Sequence, residues 1–269
     1  DLWVAHGEPR AAMRPIEVRD DPRDWFELGP ARDEPLADLD IVLMRRDPPF
    51  DMDYVHVTYM LELAEARGAL VINRPQSLRD ANEKFFITRF PECCTPFAIT
   101  RQASRILEFV ETHGKSVVKP LEGMGGDSIF QLNPGDPNRK VILETITDNG
   151  SEPVMVQKFI PEISAGDKRI LLFDGEPVPY ALARIPSEDD NRGNLVMGAV
   201  GKGQPLSDRD REICARVGPV LRDAGVIFAG IDVIGDYLTE INVTSPTGIR
   251  EIDRAFDLNI AGTLFDAIE

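Results

Sequence analysis

No stretch of this 269-residue chain approaches the roughly 20 consecutive apolar residues that a membrane-spanning helix needs. Basic residues are scarce beside acidic ones: 30 Lys and Arg stand against 46 Asp and Glu, for a net charge of −16. That balance excludes the basic footprint required by nucleic acids and anionic membranes. It also means that an anionic substrate must be met by a few cations gathered locally. Cysteine is rare and odd in number: Cys93, Cys94 and Cys214 lack metal-ligand spacing, and adjacent Cys93 and Cys94 are poorly placed to bridge each other. The expectation is three reduced thiols in a cytosolic protein. His6, His56 and His113 lie far apart, and no Ser/His/Asp or Cys/His arrangement offers a side-chain nucleophile. There is no internal repeat. The chain begins at Asp1, so its start is expected to be cleaved or trimmed, and a preceding leader is left open.

What is present is a globular composition, 42% hydrophobic, in a chain long enough for two or three packed units. Residues 1–35 read as irregular, rich in Arg, Asp and Pro. Asp40 to Met44 reads as a strand, Met52 to Ala66 as a helix stopped by Gly68, and Ala69 to Ile72 as a second strand. This order predicts a parallel crossover. A helix is predicted over 76–90, carrying Asn82, Glu83 and Lys84. Beyond it come a strand from Pro96 to Ile99, a helix with Ala103, Ile106, Leu107 and Val110, and strands Ser116 to Lys119 and Ser128 to Leu132. Asn138 to Asn149 reads as a helix and Val154 to Ile160 as a strand. Asp174-Gly175 is a hairpin signal between Arg169 to Phe173 and Val178 to Arg184. Residues 186–204 show little periodicity. An amphipathic helix from Ile213 to Ala224 precedes strands Val226 to Ile234 and Tyr237 to Val243, and one terminal helix closes the chain.

Four features carry possible chemistry. Asp232, Glu240 and Asn242 offer oxygen donors to a hard cation such as Mg²⁺. A regular two-residue turn at Gly235-Asp236 would set Asp232 opposite Thr239, on the wrong face. Sharing a ligand with Glu240 therefore requires a bulge or a longer turn, which shifts the register by one. Gly123-Met124-Gly125-Gly126 lets backbone N–H groups approach phosphate, yet matches neither a Walker P-loop nor a dinucleotide fingerprint. Lys84 and Lys119 suit point charges on phosphate. Arg169, Arg184 and Arg192 suit a bidentate hold on a carboxylate. Taken singly, each has an ordinary alternative: a solvated hairpin, a flexible turn, a snorkelling lysine, a surface ion pair.

Taken in order they are far more specific. Met44-Arg45-Arg46-Asp47-Pro48-Pro49-Phe50, Asn73 through Lys84, Lys119 through Gly126, Gly166-Asp167-Lys168-Arg169, Arg192-Gly193-Asn194 and Thr239 through Thr247 follow one another at spacings that closely resemble the bacterial glutathione synthetases, a family of ATP-grasp ligases. The resemblance covers essentially the whole chain. It implies a mixed α/β (α+β) ATP-grasp fold with three parts: an N-terminal α/β domain over 1–80, incomplete because the family normally begins with a further strand and helix; a small central lid domain over 81–158; and a C-terminal domain over 159–269. It implies that Lys84, Lys119 and Asp167, the glycine loop of Gly123, Met124, Gly125 and Gly126, and the adenine-side segment Gln157, Lys158, Phe159 and Ile160 bind ATP. By the same resemblance Asp232, Glu240 and Asn242 hold Mg²⁺ or Mn²⁺, and Arg45, Arg184, Ser245, Pro246 and Thr247 meet the peptide substrate. Arg169, with Arg192 and Asn194 on a closing loop at 185–201, serves catalysis. The implied reaction joins γ-glutamylcysteine to glycine through an acyl phosphate, in a cytoplasmic homotetramer without nucleic-acid or membrane partners. An ATP-grasp ligase for another amino acid or peptide, and a catalytically silent ATP-binding regulator, are the alternatives.

Overall fold

The computed structural model describes residues 2–21, 23–47, 49–122, 128–186 and 200–269. The opening segment, expected to be irregular, forms five short strands: β1 Leu2–Ala5, β2 Glu8–Met13, β3 Ile16–Val18, β4 Phe26–Leu28 and β5 Arg32–Pro35. They pair as local hairpins, β1-β2-β5 and β3-β4. Strands this short, interrupted by Pro and Asp, have too few alternations to announce themselves in sequence. The parallel crossover is present: β6 Ile41–Leu43 pairs in parallel with β7 Leu70–Ile72, joined by α1 Met52–Glu65. Asp51 caps α1 by accepting from the Tyr54 N–H, and Gly68 takes a φ of +107° after it.

The helix expected over 76–90 is not continuous. Helix α2 Pro75–Asp80 ends early, and 3₁₀ turns occupy Phe86–Arg89 and Pro91–Cys93. Asn82 is the physical reason: its Oδ1 accepts from the N–H groups of Lys84 (3.1 Å) and Phe85 (2.8 Å), a local turn that competes with helix. A four-stranded antiparallel sheet follows, in the order β10 Phe130–Leu132, β9 Ser116–Pro120, β11 Val154–Lys158, β8 Phe97–Thr100. Helices α3 Ala103–His113 and α4 Arg139–Ile146 supply Ile106, Val110, Leu143 and Ile146 to the core against Val118, Val154 and Val156. Successive strand residues face opposite ways, so Lys119, Met155 and Gln157 point to the other side.

The five-stranded sheet is antiparallel throughout, in the order β14 Val200–Pro205, β13 Glu176–Ile185, β12 Asp167–Phe173, β15 Phe228–Ile234, β16 Tyr237–Asn242. Strand β14 overlaps the segment 186–204, whose sequence shows little periodicity. Asp174 and Gly175 both have positive φ (46° and 78°), as a two-residue hairpin turn with right-handed strand twist requires. One face of the sheet, with Ile170, Leu172, Ile231 and Val233, packs under α5 Asp208–Asp223 through Ile213, Val217 and Leu221. The opposite face is divided along its length. Leu171, Phe173 and Phe228 are covered by Ile252, Ile260 and Leu264 of α6 Ile249–Phe256 and α7 Ile260–Ile268, while Asp167, Arg169 and Asp232 occupy the other half. The single terminal helix expected from sequence is thus two, broken where Asp257 turns left-handed at a φ of +54°. Among the described residues no helix is long and apolar enough to cross a membrane.

Candidate active site

The β15–β16 hairpin is the centre of the site. Its turn is the two-residue Gly235-Asp236, with Ile234 opposite Tyr237 and Val233 opposite Leu238. The register then shifts, so that Asp232 faces Glu240 and Thr239 is the extra residue. This bulge has two effects. It puts the Asp232 and Glu240 carboxyls on one face, and it leaves Thr239 bulged, its carbonyl accepting from Lys119 Nζ at 3.4 Å and its hydroxyl donating to the Asp232 carbonyl at 3.1 Å.

Four cationic side chains converge there from four places in the chain. From the central sheet, Lys119 Nζ lies 3.5 Å from Glu240 Oε1. From the turn after α2, Lys84 Nζ lies 3.9 Å from the same oxygen and bonds Glu83. That turn is docked by the Ile241 N–H donating to the Glu83 carbonyl at 2.9 Å. From β12, Arg169 donates to both Asp232 oxygens, Nε to Oδ1 at 2.5 Å and Nη2 to Oδ2 at 3.1 Å. From β13, Arg184 Nη2 reaches Asp167 Oδ2 at 2.5 Å and Asp232 Oδ2 at 3.0 Å. Lys84, Lys119, Arg169, Arg184 and Asp232 are all buried.

Burial alone would raise the Asp232 carboxyl, but the guanidiniums of Arg169 and Arg184 outweigh it and hold the group at about 2. Glu83 behaves oppositely. Burial, aided by the Glu240 charge and opposed by Lys84, pushes it up to about 7. Burial likewise lifts Asp167 to about 6 against the pull of Arg184. These directions give a pH signature. The stability supplied by Asp232 is lost only as pH falls below its ordinary 3.8 towards 2. Glu83 and Asp167 hold protons in the folded state that the unfolded chain has already released, so stability declines as pH rises from their ordinary 4.5 and 3.8 to about 7 and about 6. The nucleotide-free protein should therefore be most stable near about pH 4 and lose stability up to about pH 7, measured by urea unfolding without divalent cations. A stability that climbs over that interval would contradict the arrangement.

Eight of the residues marked out in the sequence come together: Lys84, Lys119, Asp167, Arg169, Arg184, Asp232, Glu240 and Asn242, the last donating from Nδ2 to Asp232 Oδ2 at 3.4 Å. Of the segment Gln157 to Ile160, Gln157 shares the face of the central sheet that carries Lys119. The Gln157 amide nitrogen there is buried with no partner, a donor open to the acceptor of a ligand. Lys158 is exposed and Phe159 lies under Lys115 Nζ, 3.8 Å from its ring centroid, so their side chains do not join the cluster. Arg45 and the Ser245 to Thr247 turn meet at the rim. Arg45 donates to the Pro246 carbonyl at 3.2 Å and Ser245 to Asp47 at 2.7 Å. Gly123, Met124, Gly125, Gly126, Arg192 and Asn194 lie outside the described residues. Sequence reasoning passed over Glu83 as a site residue; an acid directly before a phosphate-type lysine was the available signal.

Above about pH 7, with Glu83 and Asp167 ionised, the described cluster is electrically balanced, with Lys84, Lys119, Arg169 and Arg184 set against Glu83, Asp167, Asp232 and Glu240. A triphosphate entering it needs its own counter-cations. Among the described residues no group of three or more His, Cys, Asp or Glu could hold a metal alone. Two facing carboxylates with an adjacent amide oxygen are instead the partial donor set on which Mg²⁺, completed by phosphate oxygens and water, is held. The residues therefore fit a metal–nucleotide complex.

The sequence matches the N-terminal domain model of the prokaryotic glutathione synthetases over residues 1–79 and their ATP-grasp domain model over residues 83–257. Among similar proteins are glutathione synthetases from Pseudomonas putida (58% identical over 269 residues), Shewanella oneidensis (57% over 269) and Coxiella burnetii (52% over 269). Each alignment covers all of this chain and 84–85% of the relative. Solved structures sharing the fold include a D-cycloserine synthetase, with a TM-score of 0.67 at 13% identity over 87% of this chain and 84% of that one. A D-alanine–D-alanine ligase from Bacillus anthracis complexed with ATP gives a TM-score of 0.59 at 17% identity over 86% and 78%. A charge-balanced cleft built for a metal–nucleotide complex, on an ATP-grasp scaffold and with relatives of this similarity along its whole length, makes this chain an ATP-dependent ligase that belongs to the prokaryotic glutathione synthetase family.

Proposed function

We propose that the enzyme joins γ-glutamylcysteine to glycine with cleavage of ATP to ADP and phosphate. The observation that carries this reading is the placement of Glu240 Oε1 between Lys84 and Lys119, across the bulged hairpin from Asp232. In the reaction the C-terminal carboxylate of the peptide attacks the γ-phosphorus, the bond to the β–γ bridging oxygen breaks, and acyl phosphate and ADP form. The glycine amine, having lost a proton, then attacks the acyl carbon and expels phosphate. Lys84 and Lys119 exchange Glu240 for phosphate oxygens and neutralise the charge that moves onto the leaving group. Arg184 and Arg45 orient the peptide carboxylate; Arg169 holds Asp232 ionised and in place. Asp232, Glu240 and Asn242 would hold Mg²⁺ or Mn²⁺, whose part is to neutralise and orient the triphosphate. No protein nucleophile is needed, in keeping with the lack of one in the sequence.

The same reading places the enzyme in the cytoplasm, where a thiol substrate stays reduced and ATP is at hand, as a homotetramer, and divides the chain near residues 80 and 158. The four-stranded sheet lies between those limits and the five-stranded sheet after them, which supports the division. The test is ADP release with Mg²⁺ present. γ-Glutamylcysteine and glycine together should give sustained release, and either alone only a trace. Release that needs neither, or that needs a different carboxylate and amine, would replace this reading.

A further inference from the structure

The bulged hairpin forms one edge of the five-stranded sheet, with β12 on one side and the Glu83 turn docked on the other, and a bulge weakens the ladder that holds it. Both of its ends are nonetheless fixed by side chains from elsewhere in the chain. At the turn, Lys168 Nζ donates to the Gly235 carbonyl at 2.9 Å while paired with the buried Asp210 of α5, and Arg209 Nε donates to the Asp236 carbonyl at 3.1 Å. At the open end the hold comes from a residue distant in sequence. Asn73, just after β7, sends Nδ2 to the carbonyls of Phe228 and Val243, both at 2.7 Å, and accepts from the Phe228 N–H at 2.8 Å. Phe228 begins β15 and Val243 follows the last residue of β16. One buried side-chain amide therefore takes the place of a ladder rung between the two strands, one residue from Asn242 and four from Asp232.

We infer that Asn73 is a positioning residue for the Asp232–Glu240–Asn242 constellation, holding the hairpin backbone still while its side chains change partners. This rests on the ligase reading above. When a nucleotide binds, Glu240 gives up lysines and faces a cation, a local charge exchange in a low-dielectric cleft. A hairpin free at its mouth would answer that exchange by splaying. An asparagine suits the position because it carries donors and an acceptor on one short planar group, as a peptide unit does. Aspartate lacks the donors, and glutamine is a methylene too long for the 2.7–2.8 Å contacts.

The test compares Asn73→Ala with Ser77→Ala in the full chain. Ser77 bonds the Ala224 carbonyl and joins the same parts of the fold without touching the hairpin. Calorimetric binding of ADP is measured with and without Mg²⁺. Asn73→Ala should weaken Mg²⁺-dependent ADP binding about tenfold and leave metal-free binding unchanged, whereas Ser77→Ala changes neither. A cooperatively folded Asn73→Ala protein with the parent's Mg²⁺-dependent affinity overturns the inference. Hydrogen exchange on the unmodified, nucleotide-free protein decides the matter even if that variant does not fold. The Phe228 amide, bonded to Asn73, should exchange as slowly as those of Ile231 and Ile241, and rapid exchange there would show that the clamp does not hold. Absence of any Mg²⁺-linked ADP binding in the parent would instead count against the ligase reading and leave the exchange result standing.

Discussion

Glu240→Gln should lower turnover by about two to three orders of magnitude at saturating ATP, peptide and glycine, while the protein stays folded. The substitution keeps the volume of the side chain and its place opposite Asp232 but removes one charge from a balanced set of four against four. Lys84 and Lys119, both buried, then lose their common carboxylate partner at 3.9 and 3.5 Å. They are left to grip phosphate in the ground state, and the metal loses an anionic anchor. KM for ATP should therefore change little while kcat collapses, the pattern of a lost transition-state interaction. Stability should move by no more than about 1 kcal/mol, since the Glu240 side chain is 22% exposed and neither ion pair is short. Steady-state kinetics beside a thermal melt measure both. Turnover within a factor of a few of the parent would remove Glu240 from the chemistry.

Asp232→Ala should be different in kind, costing about 3–5 kcal/mol of folding stability in addition to activity. The Asp232 side chain is 4% exposed and takes two bonds from Arg169 and one from Arg184. Truncation leaves a buried guanidinium without its counter-charge, and the penalty comes from that orphaned cation more than from the lost pair. The double variant Asp232→Ala with Arg169→Met should consequently recover much of the stability and none of the activity, because Arg184 retains Asp167 at 2.5 Å. Urea unfolding of the single and double variants makes the comparison. Equal stability of the two would mean that Arg169 reaches water when Asp232 is gone. The contrast between adjacent carboxylates follows from position: Glu240 stands at the mouth of the cleft and Asp232 at its floor.

Much of this site was legible in the sequence because its parts obey short-range rules. Side chains two apart in a strand share a face, so Glu240 and Asn242 had to point together. The turn signal at Gly235-Asp236 forced a choice between a regular hairpin and a shared site, and the bulge with Thr239 as the extra residue is how the chain has both. Helix α5 and the strand ending in Lys119 were visible through their apolar period. The strands before residue 36 were not, being too short to alternate convincingly. Nor was the turn at Asn82 to Lys84, where one side chain's hydrogen bonds override helical propensity.

What the sequence by itself determined is the inventory and the local geometry: which cations and carboxylates exist, which pairs share a strand face, and, by family likeness, what reaction they serve. Only the tertiary structure decided that Lys84, Lys119, Arg169 and Arg184 meet around one hairpin, that Glu83 belongs to their company, and that Asn73 ties the hairpin's mouth from 155 and 170 positions away. The physical reason lies in range. Backbone periodicity is set by neighbours a few residues apart and is written in the order of amino acids. Burial and Coulombic energy depend on which surfaces come within a few ångströms of one another, and that is settled only when the sheets and helices have packed.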